Sequence, residues 1–324
     1  MARRSTAPRL EKDRTPGAEK LLLSQTEFHI GSKGELLYYV IYAVGCLPRV
    51  LLQQAGWLLG LWLYASRSQS RRVTEINVLR CFPDMTTSER KVLVRSSLIE
   101  TARTALETPA VWFKNSKHLL TWIDNVHGAE LIEQSIADEN GVLLLVPHIG
   151  NWELYNAVHA ERYGQFTALF KPPKQAYLAN IIRRVRMHYG NDMVPTTPRG
   201  LVRLFKALTT GGTVAVLPDQ VPESGIFVPF FSQAVFTDRL VHRLLKKTKA
   251  VPILVSLIRN QEGRFDLFYE AVPNLDAADE QQALTALNQS LERLILRNPS
   301  QYQWEYKRLK KQPSDSKDPY KTAD

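Results

Sequence analysis

From residue 141 onward, short apolar runs alternate with longer amphipathic stretches. Short apolar runs predict buried strands, and the amphipathic stretches between them predict helices. We expect strands at 142–146, 166–170, 213–217, 251–258 and 265–271. We expect helices near 152–161, 175–189, 199–209, 237–248 and 278–297. This alternation indicates an α/β fold, in which a central, mostly parallel sheet is flanked by helices.

The chain before residue 141 is predicted to be mostly helical. Thr86 and Glu89 form a capping-box pair ahead of a helix near 88–107. A short strand at 120–127 and a helix at 129–138 are expected to follow.

The most apolar part of the chain is residues 36–65. Roughly 20 uninterrupted apolar residues are needed to cross a bilayer core. Here Pro48–Arg49 and Gln53–Gln54 interrupt the run, so we expect two shorter helices. Trp57, Trp62 and the basic residues on both flanks favour a segment embedded in an anionic membrane surface. A buried helical hairpin of a soluble fold is the alternative.

Both ends of the chain are polar. Residues 1–33 predict a disordered basic arm without a cleavable signal peptide, and residues 311–324 predict a disordered tail. Between them we expect a membrane-associated helical segment at 34–66 and a catalytic domain at 67–310.

The net charge of the chain is +10, which bears on the kind of partner it can bind. Such a charge favours an anionic partner, which could be nucleic acid, a membrane surface or a phosphorylated small molecule. The two cysteines, Cys46 and Cys81, give neither a disulfide framework nor the spacing of a metal site. We therefore expect no metal and no cofactor.

Candidate chemistry lies where the first of these strands ends. Val142–Val146 is followed by Pro147, and then by His148 and Glu153. Histidine titrates near neutrality and can accept a proton from a hydroxyl. Glu153, at a helix start, could orient the ring if Gly150 lets the loop curl back. The alternative is a loop histidine beside an exposed glutamate.

Several blocks in one order carry a resemblance to a known family. They are residues 77–84 (NVLRCFPD), 147–153 (PHIGNWE), 168–172 (ALFKP), 216–220 (VLPDQ), 225–231 (GIFVPFF), 250–253 (AVPI) and 299–308 (PSQYQWEYKR). Together they resemble the bacterial lipid A late acyltransferases, the lauroyl and myristoyl transferases of the lysophospholipid acyltransferase group. The resemblance spans about residues 36–311.

The resemblance implies a glycerol-3-phosphate-acyltransferase-like fold and an acyl-transfer reaction. His148 would remove a proton from an acceptor hydroxyl, which would then attack the thioester of an acyl carrier protein or of coenzyme A. Glu153 would orient His148. The acceptor would be a phosphorylated precursor of lipid A. The enzyme would lie on the cytoplasmic face of the bacterial inner membrane, anchored by residues 36–65.

Further side chains are expected to bind the substrates. Lys171 and Lys174 follow a strand end and suit phosphate groups. Arg183 and Arg186 share one face of the predicted helix 175–189, where they would contact lipid phosphates or an acidic carrier protein. A solvated helix face is the alternative for these arginines.

Three more polar residues are candidates near the predicted pair. Asn151 could donate to the oxyanion of the reaction. Asp219, at a strand end, could join the acid–base network or bind acceptor hydroxyls together with Gln220. A simple turn aspartate is the alternative for Asp219.

Two rival functions remain open from the sequence. The same chemistry could act on another acceptor, such as a glycerophospholipid, a glycolipid or an amino-acid lipid. A non-enzymatic basic protein could instead bind a membrane or nucleic acid. We expect no nucleic-acid partner, because the sequence contains no recognised nucleic-acid-binding motif.

Overall fold

The computed structural model describes residues 31–170, 175, 181–182, 185, 188–313 and 317–321. The helices are α1 (Gly31–Cys46), α2 (Arg49–Ala65), α3 (Gln69–Cys81), α4 (Thr87–Phe113), α5 (Ser116–Leu120), α6 (Ala129–Ala137), α7 (Tyr155–Arg162), α8 (Pro198–Thr209), α9 (Leu240–Lys247) and α10 (Glu280–Arg297). The strands are β1 (Ile123–His127), β2 (Val142–Leu145), β3 (Phe166–Phe170), β4 (Asp192–Pro195), β5 (Thr213–Val216), β6 (Gly225–Phe230), β7 (Gln233–Asp238), β8 (Val251–Arg259) and β9 (Phe265–Ala271). Single 3₁₀ turns lie at Trp152–Leu154 and Pro299–Gln301.

The central sheet has the strand order β1-β9-β8-β2-β5-β3-β4. All neighbouring strands are parallel except β8 and β9, which are antiparallel. The predicted α/β fold with a mostly parallel sheet is confirmed. Strand β4 and the separate β6–β7 hairpin were not predicted, because β4 is only four residues long, Pro229 interrupts β6, and polar residues begin and end β7.

Strand β2 lies at the centre of the sheet and is buried on both faces. Leu143 and Leu145 belong to the apolar cluster that helices α8, α9 and α10 cover. Val142 and Leu144 belong to the opposite cluster, which helices α6 and α7 cover. Successive side chains of a strand point to opposite faces, so an unbroken apolar run is what a strand between two helical layers requires.

Helix α4 begins at the predicted capping box. The Thr86 side chain accepts from the Glu89 amide, and the Glu89 carboxylate accepts from the Thr86 amide. The helix continues to Phe113, beyond the predicted end at residue 107, and includes Pro109. Helices α1 and α2 pack along α4, and this tertiary packing outweighs the local preference of proline to end a helix.

The predicted interruption of residues 36–65 is confirmed. Helices α1 and α2 meet at Pro48 and are bent by 113°. In the described part of the chain, no single helix is long and apolar enough to span a membrane, although this bent pair passes the test of length and composition together. The predicted membrane segment is thus two short helices.

Helix α2 packs on α4 through two glycines one turn apart. A Cβ at Gly56 would lie 2.5 Å from the Cα of Arg103, and a Cβ at Gly60 would lie 2.4 Å from the Cα of Ile99. Only glycine permits such a close approach of two helix backbones. The opposite side of α2 is apolar and exposed: Leu58 is 61% and Trp62 is 62% accessible.

Of the predicted disordered tail at 311–324, the structure describes residues 311–313 and 317–321. Tyr320 is buried, its hydroxyl hydrogen-bonds Asn77 of α3, and the Leu309 amide donates to the same hydroxyl. The aromatic side chain at 320 belongs to the apolar cluster on one face of the sheet, and residues 314–316 and 322–324 of the predicted tail lie outside the described residues. Residues 1–30 of the predicted arm lie outside the described residues.

Candidate active site

The loop that follows β2 is held by backbone hydrogen bonds on two sides. Gly150 donates its amide to the carbonyl of Gln301, and Asn151 donates to the carbonyl of Leu257 in β8. Gly150 has a φ of +59°, and a Cβ there would lie 1.8 Å from the Leu257 oxygen. Glycine is therefore required at this position both by its dihedral and by its close contact.

His148 pairs with Asp219 across neighbouring strands. Leu145 of β2 lies opposite Val216 of β5, and His148 and Asp219 each follow three residues later. Their side chains meet above the carboxyl edge of the sheet, with 2.8 Å between His148 Nδ1 and Asp219 Oδ1. The backbone amide of His148 also donates to Asp219 Oδ2, at 2.8 Å. Parallel strands thus place a base and a carboxylate at one edge, where ligands bind in such sheets.

Asp219 is 2% exposed, yet it is held in its charged form. Burial alone would raise the pKa of this carboxyl, but the charge and the two hydrogen bonds of His148, with the charge of Arg308, lower the pKa below its ordinary value. A charged acceptor at Nδ1 favours the tautomer that carries its proton on Nδ1. The lone pair of that ring then lies on Nε2.

The second ring nitrogen of His148 faces Gln220. The distance between His148 Nε2 and Gln220 Nε2 is 3.1 Å, so the amide can donate to the ring. Gln303 receives a longer contact from the same amide, and its own backbone amide donates to the His148 carbonyl. Trp152 packs edge-on against the imidazole, with 4.9 Å between ring centroids.

Glu153 lies in the 3₁₀ turn that precedes α7 and is 9% exposed. Trp112 of α4 and Asn156 of α7 each approach its Oε2 at 3.4 Å. We expected Glu153 to orient the His148 ring. In the structure Asp219 makes that contact, because the register of β2 and β5 brings its carboxylate level with the imidazole.

Asn151 has a different position from the one expected for an oxyanion donor. It is fully buried, its amide donates to Glu107 Oε2 at 2.9 Å, and its carbonyl accepts from the Leu154 amide. Both polar ends of the side chain are therefore used within the fold. The remaining predicted substrate-binding residues, Lys171, Lys174, Arg183 and Arg186, lie outside the described residues.

Residues of the block at 299–308 complete the site, and the sequence interpretation assigned none of them a role. Beside Gln303, Glu305 lies close enough to His148 to interact electrostatically, and Thr101 of α4 donates to it at 3.0 Å. Burial raises the pKa of Glu305, against the opposing hydrogen bonds of Thr101 and Gln303. The tyrosine–tryptophan–basic pattern at 302–308 was the available signal, but it does not reveal which strand ends it meets.

An apolar cavity lies beside Glu153 and Trp152, the residue whose ring packs against His148. Strands β3, β4 and β5 supply Ala168, Met193 and Ala215 to its wall. Val146, which follows β2, and two residues of α7 also line it. Among the described residues, no group of three or more histidine, cysteine, aspartate or glutamate side chains could hold a metal ion. The site therefore offers a base, buried carboxylates and an apolar wall.

A hydrogen-bonded histidine and carboxylate at this edge of a parallel sheet can move a proton during group transfer. Comparison with known proteins identifies which group: the chain belongs to the bacterial lipid A biosynthesis acyltransferase family, whose model matches residues 25–311. The match confirms the resemblance found in the sequence blocks. It favours an acyltransferase over a non-enzymatic basic protein.

Curated relatives cover most of the chain at modest identity. The lipid A biosynthesis lauroyltransferase of Escherichia coli K12 is 27% identical over 86% of this chain and 88% of its own length. The myristoyltransferase of the same strain is 28% identical over 79% of this chain and 80% of its own. Lipid A biosynthesis acyltransferase 2 of Shigella flexneri is 26% identical over 81% and 84%. Relatives named for different acyl chains are thus about equally similar.

Proposed function

We propose that this protein transfers a fatty acyl chain from an acyl carrier protein thioester to a hydroxyl of a lipid A precursor. The observation that carries the proposal is the hydrogen-bonded pair of His148 and Asp219 within the family's own sequence blocks. The pair supplies the base that an acyl transfer to a hydroxyl requires.

The reaction begins at His148 Nε2. Asp219 accepts a hydrogen bond from the proton on Nδ1, so the lone pair of the ring lies on Nε2. An acceptor hydroxyl then takes the place of Gln220 as the hydrogen-bond partner of Nε2. The hydroxyl loses its proton to Nε2 while its oxygen attacks the thioester carbonyl. The resulting tetrahedral intermediate then expels the thiolate of the carrier protein. The imidazolium gives its Nε2 proton to this thiolate. An ester forms, a thioester breaks, and the enzyme returns to its starting state.

Asp219 stabilises the imidazolium that forms in the first step. Its buried charge lies 2.8 Å from Nδ1, where a low local dielectric strengthens the attraction. Glu153 adds a second carboxylate beside the pocket, and we assign it to orienting the reacting groups together with Trp112 and Asn156. The adjoining apolar cavity suits the first carbons of the acyl chain.

Helices α1 and α2 form the proposed membrane seat. Their exposed surface includes Tyr39 at 65%, Leu58 at 61% and Trp62 at 62% accessibility. Several large exposed apolar side chains on neighbouring helices favour a partner, and tryptophan and tyrosine favour the interface of a bilayer. A seat on the cytoplasmic face of the inner membrane would bring the site to a lipid acceptor and leave it open to a soluble carrier protein.

Mass spectrometry of the lipids from cells that lack this protein tests the proposal. We expect a lipid A species smaller by the mass of one acyl chain, and that mass names the chain transferred. Restoring the gene provides the control. Unchanged lipid A, with a glycerophospholipid or glycolipid shortened by one chain instead, would mean that the acceptor is wrong. If no lipid changes, acyl transfer itself is refuted.

A further inference from the structure

A fully buried carboxylate on α4, that of Glu107, is the centre of a polar network beneath the active-site loop. Arg259 of β8 donates to both of its oxygens through its two terminal nitrogens. Gln53 of α2 donates to Oε1 at 2.8 Å, and Asn151 of the loop donates to Oε2 at 2.9 Å. The carboxylate therefore has four donors, which come from three different parts of the fold.

The contact with Asn151 passes directly into the loop that carries His148 and Glu153. Asn151 uses its other side-chain atom to accept from the Leu154 amide, which fixes the 3₁₀ turn containing Glu153. One turn earlier on α4, Thr104 donates to the carbonyl of Gly150 at 3.2 Å. Helix α4 thus forms hydrogen bonds with two successive residues of the loop, Gly150 and Asn151.

Stability alone is a weak reason for this arrangement. Burying two opposite charges costs desolvation free energy, and the attraction between them often does no more than offset this cost. Arg259 also has a second carboxylate partner, Glu100, 2.8 Å from its Nε. Without Glu107, the arginine would still be paired with Glu100. The side-chain amide of Asn151, however, donates to Glu107.

We propose that Glu107, held in place by Arg259, is a positioning residue that fixes the His148–Glu153 loop through Asn151. Gln53 extends the network to α2: its amide donates both to Glu107 and to the carbonyl of Gly263 at 2.7 Å. The loop is thereby tied to the helix whose other side is apolar and exposed. This positioning role rests on the proposed acyl transfer for its effect on rate.

An exchange of the two partners tests the proposal. Glu107→Gln places an amide against the Asn151 amide, and Asn151→Asp places two carboxylates together. The double variant restores one donor and one acceptor with their roles reversed. We expect each single variant to lower kcat roughly 10- to 100-fold with little change in KM, because small misplacements of reacting groups cost rates of this order. The double variant should recover a large part of kcat.

Glu100→Gln is the matched control. It removes a carboxylate from the same arginine, but Glu100 pairs with Arg259 and Arg103 rather than with the loop. Its kcat should stay within about twofold of the wild-type value. A double variant whose loss equals the product of the two single losses would overturn the positioning role, and so would a loss in Glu100→Gln as large as in Glu107→Gln.

Hydrogen exchange of the peptide covering residues 148–154 gives a readout that needs no substrate. Exchange should be faster in each single variant and return toward the wild-type rate in the double variant. If the wild-type protein transfers no acyl chain, the proposed function fails, but this exchange pattern still tests the positioning role. If Glu107→Gln does not fold, a soluble double variant with slow exchange supports the role, and an equally misfolded double variant refutes it.

Discussion

Two histidines eleven residues apart occupy opposite kinds of environment. His148 lies in the loop that follows β2, with its side chain 12% exposed. Both of its ring nitrogens contact the Asp219–Gln220 segment. His159 lies in α7, fully buried, with the Tyr155 hydroxyl 3.1 Å from Nδ1. In the part of the chain that the structure describes, its Nε2 has no hydrogen-bond partner.

The difference follows from what surrounds each ring. Aromatic side chains enclose His159, among them Tyr163 and Phe166, and burial lowers its pKa to about 4. Such a ring stays neutral, and no carboxylate among the described residues forms an ion pair with it. His148 instead has Asp219 at one nitrogen and a replaceable amide at the other. A histidine becomes a base through its partners, and only one of these two has them.

His148→Ala should have the largest effect. It removes the proposed base, so we expect kcat for acyl transfer to fall by roughly 10²- to 10⁴-fold. His159→Phe is the matched control, because it replaces a neutral buried ring by an apolar one and should keep most of the activity. Circular dichroism of both variants checks that the fold persists. Equal losses of kcat in the two variants would contradict the distinction between the two histidines.

Asp219→Asn should follow closely. The amide keeps the shape of the carboxylate but removes the charge that fixes the tautomer of His148, and we expect a loss of up to roughly 10⁴-fold in kcat. The lowered pKa of Asp219 also predicts a stability effect. Pairing with His148 stabilises the fold above the carboxyl's ordinary pKa, and this stabilisation is lost as the pH falls through the lowered pKa.

Acid unfolding of Asp219→Asn measures that second effect. The variant should be less stable than the wild type near neutral pH, and the difference should disappear in strong acid. Asp192→Asn, at an exposed ion pair with Arg203, is the control and should change neither activity nor acid unfolding strongly. A wild-type rate in Asp219→Asn would show that the pair has no part in the reaction.

Glu153→Gln should have a smaller effect on activity. Asp219 makes the contact with the ring, so removing the charge of Glu153 should lower kcat by about tenfold, as expected for one charged interaction. Steady-state kinetics at one pH is sufficient for this measurement. A loss as large as that of Asp219→Asn would return Glu153 to the role of the orienting carboxylate.

The smallest effect on activity, and the clearest on stability, is expected at His159. The unfolded chain protonates this ring near its ordinary pKa of 6.5, and the folded protein only near pH 4. Stability is therefore full above pH 6.5 and falls as the pH drops toward 4, by about 3 kcal/mol. His159→Phe should lose less stability over this interval when unfolding is followed by denaturant titration. An identical pH dependence would contradict the burial argument.

Much of the fold could be predicted from the chain's periodicity. The run Val142–Val146 identified the central strand, and Pro48 identified the break between α1 and α2. The β6–β7 hairpin was missed because Pro229 argues against a strand in β6 and polar residues begin and end β7. The buried Tyr320 was missed because its surrounding sequence is polar. Tertiary packing determines both the hairpin and the burial of Tyr320, and it cannot be read from local propensity or from the hydrophobic pattern.

The site could be predicted only in part for a related reason. His148 and Asp219 were each noted at a strand end, but their contact depends on β2 and β5 being neighbours, which the sequence does not state. Glu153 was preferred because PHIGNWE matches the histidine–acid motif of the family that the sequence resembles. Glu107 and Arg259 are 152 residues apart and carry no motif, so no signal joined them before the fold was known.

The central claim is that His148 is the base of an acyl transfer to lipid A. The most direct measurement is the mass of lipid A from cells in which the chromosomal gene carries either His148→Ala or His159→Phe, with equal protein levels. We predict lipid A lighter by one acyl chain in the His148→Ala cells and normal lipid A in the His159→Phe cells. Fully acylated lipid A in the His148→Ala cells would contradict the account.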